Sequence, residues 1–149
     1  MSKKIAIIGG GNLGTAIAEG LINSGFSLPK HIMVTKRNLK TLQSLQSKGV
    51  LVSDDNNEAV QFAELVILAV KPFQAEEVLA SVKASIHSKN HLLVSVVTGI
   101  TIDTILKSAG KKVAVIRAMP NTAIAIQESM TCLAAHEVTK EQLKFAEEL

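Results

Sequence analysis

Four aliphatic residues, Ile5-Ala6-Ile7-Ile8, run straight into Gly9-Gly10-Gly11-Asn12-Leu13-Gly14, and no other feature of the chain restricts its fold so tightly. The apolar run has strand length. The segment after it, Asn12 to Asn23, places Leu13, Ile17, Leu21 and Ile22 near helical spacing, and Gly25 stops it. Strand, glycine turn and helix in that order, with G-x-G-x-x-G spacing, make a cradle for a phosphate. Gly9 permits the tight turn, Gly11 lets a pyrophosphate approach the backbone, and Gly14 lets the helix pack closely on the strand. Asn12 and Leu13 stand at the helix N-terminus, where free N–H groups and the positive end of the dipole collect. A glycine turn with no ligand is the plainer reading, and the strand-turn-helix context weighs against it.

The rest of the chain repeats the alternation of short aliphatic runs and longer helical stretches, with no low-complexity linker. Strands are expected at Lys4 to Ile8, His31 to Thr35, Val50 to Val52, Leu65 to Ala69, Leu92 to Val97 and Lys112 to Arg117. Their continuous apolar character fits strands buried on both faces. Helices are expected from Leu39 to Lys48 behind an Asn38 cap, from Asn56 or Asn57 to about Phe62, from Phe73 to Ile86 behind Pro72, and after Thr101. The fold class is therefore α/β: a Rossmann-type doubly wound parallel sheet of about six main strands with helices on both faces.

Composition removes several functions. The chain has 149 residues, enough for one ordinary core. It has no Tyr and no Trp, so chemistry that needs a phenol, and base stacking on those rings, is excluded. Its net charge of +3 is dispersed, with 16 Lys and Arg against 13 Asp and Glu. That suits a small anionic ligand better than a nucleic-acid groove. The one cysteine, Cys132, has no internal disulfide partner and no Cys/His cluster beside it, so no metal site is expected and a reducing cytoplasm is the default location. Glycines interrupt the apolar start, which argues against a secretion signal, and the other apolar runs are too short to span a bilayer, so no membrane partner is expected.

The end of the second strand discriminates between dinucleotides. An NAD site usually has Asp or Glu there to accept from the ribose 2′-OH. This chain has Thr35-Lys36-Arg37-Asn38, and no acid lies between Glu19 and Asp54. A guanidinium fork, an ammonium and a hydroxyl suit a 2′-phosphate, so NADP(H) is expected over NAD(H). Solvated surface charge is the other reading of Lys36 and Arg37.

Further motifs fall at other strand ends, where an open α/β sheet builds its ligand crevice. Ala69-Val70-Lys71-Pro72 follows the fourth strand, Val96-Val97-Thr98 closes the fifth, and Met119-Pro120-Asn121-Thr122 follows the sixth. With the glycine loop and Asp55-Asn56-Asn57-Glu58-Ala59, they resemble the N-terminal domain of pyrroline-5-carboxylate reductases, in this order and over essentially the whole chain. The resemblance implies hydride transfer from NAD(P)H to a small-molecule cyclic imine, 1-pyrroline-5-carboxylate, giving proline. It implies that Gly9, Gly11, Asn12, Leu13 and Gly14 hold the pyrophosphate, Thr35, Lys36 and Arg37 the adenosine phosphate, and Asn56 the adenine-side ribose. Ala69, Val70, Lys71 and Pro72, with Val96, Val97 and Thr98, would line the dinucleotide, while Lys71, Met119, Asn121 and Thr122 would lie near nicotinamide and substrate. No catalytic acid or base is assigned: a protonated imine carbon is already electrophilic, and His31, His87, His91 and His136 all fall outside the motifs.

The chain departs from the family pattern at Phe73, where many members have Gln, at Val97 and Thr98, where small residues are usual, and at Ala123, Gln127 and Ser129. These changes touch the nicotinamide side and spare the glycine loop. Thr139-Lys140-Glu141-Gln142 is a capping box, yet its helix reaches only Leu149 without a stop signal. It reads either as a frayed end or as the start of a helix cut short within a longer protein. The resemblance favours the latter, since a helical C-terminal domain follows in the family, completes the substrate site and forms the homo-oligomer. Another NADP-dependent reductase of the same fold and a non-catalytic NADP-binding module remain as alternatives.

Overall fold

Along β1 (Ile5–Ile8) no side chain is exposed, and successive residues feed opposite sides of the sheet. Ala6 and Ile8 join one apolar cluster, Ile5 and Ile7 the other. That two-sided burial is what continuous aliphatic runs encode. The structure is a computed structural model that describes residues 3–120 and 130–149. After β1 come α1 (Asn12–Asn23), β2 (Ile32–Thr35), α2 (Gln43–Ser47), β3 (Leu51–Ser53), α3 (Asn56–Phe62) and β4 (Leu65–Leu68). Then follow α4 (Ala75–Val82), β5 (Leu92–Ser95), α5 (Ile102–Ala109), β6 (Ala114–Met119), β7 (Cys132–His136) and α6 (Lys140–Glu148).

The strands form one sheet in the order β3-β2-β1-β4-β5-β6-β7. β1 to β6 are parallel, and β7 pairs antiparallel with β6, setting Val115 opposite His136 and Met119 opposite Cys132. Helices α3, α4 and α5 cover one face through Val60, Leu79, Val82 and Ile105. Helices α1, α2 and α6 cover the other through Ala18, Leu21, Leu45 and Ala146. Ile7, fully buried, sits centrally in that second layer, and its truncation to Ala would cost about 2–5 kcal/mol. The chain crosses over between β3 and β4, so strand order reverses at the β1–β4 pair. In such sheets the ligand crevice opens at the C-terminal ends of the strands beside that reversal.

The six expected strands lie within two residues of their expected bounds, and a seventh strand, the antiparallel edge strand β7, joins them. Strand β7, Cys-Leu-Ala-Ala-His, lacks a β-branched run, and as an edge strand it is mostly exposed or half-buried, so its sequence carries little strand signal. The expected helix Leu39–Lys48 is a 3₁₀ turn, Leu39–Leu42, leading into the short α2, with the Asn38 carboxamide accepting from the Lys40 N–H at 3.2 Å. The helix expected from Phe73 to Ile86 likewise begins as a 3₁₀ turn at Pro72–Gln74 and ends at Val82. Helix α3 opens at Asn56 as expected and ends at Phe62, capped by Asp55, which accepts from the Asn57 N–H at 2.8 Å.

Both halves of the capping box at α6 form, at 2.9 and 3.1 Å. The helix is docked rather than loose: Phe145 stacks against Phe26 at 5.2 Å, and the Lys3 ammonium lies 4.6 Å from the Phe145 ring centre. No described helix is long and apolar enough to cross a membrane.

Candidate functional site

The glycine loop shows why each glycine is needed. Gly9 has a φ of +108°, and a Cβ there would stand 2.6 Å from the Ala69 carbonyl oxygen, so β1 and β4 leave no room for a side chain. A Cβ on Gly14 would overlap the Gly9 carbonyl oxygen, which is the close helix-on-strand packing that brings α1 down onto the turn. Around Gly11 the opposite holds: a Cβ would meet nothing within 4 Å among the described residues. Space therefore lies open over the loop, next to the first turn of α1, which has no side-chain cap. That turn keeps backbone N–H groups free for an anion.

From this loop a cleft of about 550 Å³ runs along the C-terminal ends of β1, β2 and β4, a volume suited to a cofactor-sized ligand. Gly9, Gly10 and Gly11 form its floor, and Thr35, Lys36, Arg37, Asn38, Asp54 and Asn56 one end. Backbone bonds brace this corner: the Gly10 N–H donates to the Thr35 carbonyl at 2.7 Å and the Lys36 N–H to the Ser53 carbonyl at 3.0 Å. The Thr35 hydroxyl donates to the Asn56 Oδ1 at 2.6 Å, and Thr35 is only 2% exposed. Ser53 in turn donates to the Glu58 carboxylate and accepts from the Asp55 N–H, fixing the turn into α3. Among the described residues Lys36 and Arg37 form no ion pair, so their charge is available to a ligand.

The opposite wall is Ala69, Val70 and Lys71, continued by Gln74, Glu77, Val78 and Ser81. Sequence reasoning missed those last four, as well as Asn38 and Asp54. A signal existed for the four: they recur at i, i+3, i+4 and i+7, one face of the helix that Pro72 starts. Asp54 gave none, because β3 is three residues long and only its pairing with β2 brings the following acid to the cleft.

Of the expected site residues, the cleft thus gathers Gly9, Gly11, Thr35, Lys36, Arg37, Asn56, Ala69, Val70 and Lys71. Asn12 and Leu13 begin α1 beside it, Gly14 is buried beneath the loop, and Pro72 starts the 3₁₀ turn. Val96, Val97 and Thr98 are not on its wall; Val97 is buried in the layer under α4 and α5. Met119 ends β6 about half exposed, and Asn121 and Thr122 lie outside the described residues. Arg117, the expected last residue of its strand, lies inside β6, its Nε buried with no hydrogen-bond partner among the described residues and an Nη 3.4 Å from the Met119 sulfur.

None of the four histidines lines the cleft. The buried one, His91, precedes β5 at the opposite edge of the sheet. Burial pushes its pKa down, the neighbouring His87 and then Lys111 add to this, and a hydrogen bond to the Ala63 backbone opposes it. Among the described residues no group of three or more His, Cys, Asp or Glu could hold a metal ion.

The cradle around Gly11, the length of the cleft and the cations at its end fit a dinucleotide. The comparisons agree with nicotinamide-dinucleotide chemistry. The model of the family described as NADP oxidoreductase coenzyme F420-dependent matches residues 4–99. A pyrroline-5-carboxylate reductase of Dictyostelium discoideum is 45% identical over 130 residues, covering 87% of this chain and 23% of that protein. A solved pyrroline-5-carboxylate reductase from Coxiella burnetii superposes with a TM-score of 0.93 at 37% identity, covering 99% of this chain and 55% of that one. A Plasmodium falciparum pyrroline carboxylate reductase solved with NADP bound shares the fold, with a TM-score of 0.86 at 22% identity, over 98% of this chain and 53% of its own. The chain spans about half or less of the length of these curated relatives.

Proposed function

The chain belongs to the family of NADP oxidoreductases described as coenzyme F420-dependent, and on that premise we propose that it is the dinucleotide-binding unit of a pyrroline-5-carboxylate reductase. The observation that carries the proposal is the cleft at the β1–β4 reversal, joining an open glycine cradle to an unpaired Lys36 and Arg37. The likeness to pyrroline-5-carboxylate reductases over most of the chain supplies the substrate class.

In this reading the backbone of Gly9 to Gly11 and the first turn of α1, including the Asn12, Leu13 and Gly14 N–H groups, hold the pyrophosphate. Lys36 and Arg37 take the 2′-phosphate, so NADP(H) is preferred over NAD(H). Asn56 serves the adenine-side ribose, and Ala69 to Pro72 lie along the dinucleotide. By family resemblance Val96 to Thr98 also line the dinucleotide, and Lys71, Met119, Asn121 and Thr122 are assigned to the nicotinamide and substrate side. NADPH, when bound, supplies the hydride. The ring carbon of the protonated cyclic imine accepts it and the nitrogen keeps its proton, giving proline. The chain's residues therefore have to position two reactants and exclude water, without a buried general base.

The substrate carboxylate and the contacts of a homo-oligomer are left, in this proposal, to the helical domain that accompanies such units in the family. A single cysteine in the chain, Cys132, exposed and unpaired, supports a reducing location such as the cytoplasm.

The test is a pair of assays on the natural protein that contains this chain. Calorimetric titration should show NADPH binding, and NADPH should be oxidised when 1-pyrroline-5-carboxylate is added. Binding of NADPH with no reduction of that imine, but with reduction of a deazaflavin or a hydroxyacid-derived ketone, would reassign the substrate within the same family.

A further inference from the structure

Thr35 has the position of a phosphate ligand and the environment of a structural one. It ends β2, beside Lys36 and Arg37, yet it is 2% exposed. A hydroxyl has one proton to give, and this one goes to the Asn56 Oδ1 at 2.6 Å. Its carbonyl accepts from the Gly10 N–H at 2.7 Å. One residue thus ties the glycine loop to the first residue of α3.

The effect on Asn56 is specific. A carboxamide can turn either its oxygen or its nitrogen toward a ligand, and the two ends recognise opposite partners. With Oδ1 turned to Thr35, the Nδ2 is the end of the carboxamide left without a partner among the described residues. Asn56 lines the cleft, and its Nδ2 can only donate, so an acceptor in the cleft is what it can serve.

We infer that Thr35 is a positioning residue that acts on a bound dinucleotide through Asn56, fixing that carboxamide as a donor toward an adenosine oxygen, rather than touching the 2′-phosphate itself. This rests on the dinucleotide reading above and revises the part that the family resemblance implies for Thr35. Discrimination between NADPH and NADH then falls to Lys36 and Arg37, with the Asp54 carboxylate at the same end of the cleft opposing a phosphate.

Three variants of the full chain test this: Thr35→Val, which keeps the shape and removes the hydroxyl, Thr35→Ser, which keeps the hydroxyl, and Asn56→Ala. Thr35→Val should weaken NADPH and NADH by the same factor, roughly 3- to 10-fold, the range for one hydrogen bond. Thr35→Ser should bind as the unaltered chain does. Added to Asn56→Ala, the valine should cost nothing further, because the two side chains act as one unit. A valine that weakens NADPH and spares NADH, or losses that simply add in the double variant, would overturn the inference in favour of direct phosphate contact.

A readout without cofactor keeps the two proposals separable. In ¹H–¹⁵N spectra the Asn56 side-chain amide signals should move in Thr35→Val and stay in Thr35→Ser, with the thermal midpoint reporting that each variant folds. Unmoved Asn56 signals in a folded valine variant would overturn the positioning role. Absence of dinucleotide binding by the unaltered chain would instead overturn the proposed function and leave the spectra to decide the Thr35–Asn56 link.

Discussion

The two edges of the one sheet are built from the same strands and treat their polar groups in opposite ways. At the N-terminal edge, the groups flanking β4 and β5 are paired within the protein, while the buried His31 Nδ1 before β2 has no partner among the described residues. The His87 N–H donates to the His91 Nδ1 at 3.0 Å, the Lys111 ammonium to the Ile86 carbonyl at 2.6 Å, and the Leu92 N–H to the Glu64 carbonyl at 3.0 Å. The Lys4 ammonium lies 4.9 Å from the Phe62 ring centre. At the C-terminal edge the first turn of α1 is uncapped, Lys36 and Arg37 have no acidic partner among the described residues, and space stands open over Gly11. Buried polar groups that find partners hold a fold together, while donors left open beside a cleft are an invitation to a ligand. The difference assigns stability to one edge and binding to the other, and substitutions can test that division.

The largest effect is expected where the two roles meet. Gly14→Val inserts atoms into the Gly9 carbonyl and forces α1 off the turn. It should lower stability by about 1–3 kcal/mol and abolish NADPH binding, read by thermal unfolding and calorimetry together. Full binding by this variant would contradict the packing role given to Gly14.

Arg37→Ala should sharpen the division. Losing a charge-assisted contact to a 2′-phosphate should weaken NADPH about 10-fold or more, leave NADH nearly unchanged, and hardly move the melting temperature. A parallel loss for both cofactors would mean that Arg37 does not read the phosphate.

The smallest effect belongs to the paired edge. His91 has its pKa pushed below the ordinary 6.5, so the native state resists a proton that the unfolded chain accepts. Its contribution is fully present above pH 6.5 and is lost as pH falls from there through the lowered native value. Melting curves between pH 7 and pH 5 should therefore slope less steeply for His91→Asn than for the unaltered chain. NADPH affinity at pH 7.5 should be the same for both. A changed affinity would break the separation of the two edges.

How much of this was legible in the sequence follows the range of the interactions. The α1 bounds, the six parallel strands and the stop after Asn23 are local: aliphatic runs and glycines specify them within a few residues of chain. The roles of Gly9, Gly11 and Gly14 in the turn were legible for the same reason. Strand β7 was not, since an alanine-rich edge acquires its conformation from pairing with β6. Asp54 reaches the cleft through the β2–β3 pairing, and the bond from Thr35 to Asn56 spans 21 residues of chain, so neither leaves a local trace. Those long-range contacts carry the inference that Thr35 positions Asn56.

The most direct test of the whole account is an NMR titration of the chain with NADPH and, separately, NADH. Shifts concentrated at Gly9 to Gly14, Lys36, Arg37 and Asn56, with the tighter binding for NADPH and silence around His87 and His91, are the predicted result. Shifts centred on the N-terminal edge of the sheet, or no saturable change with either dinucleotide, would contradict it.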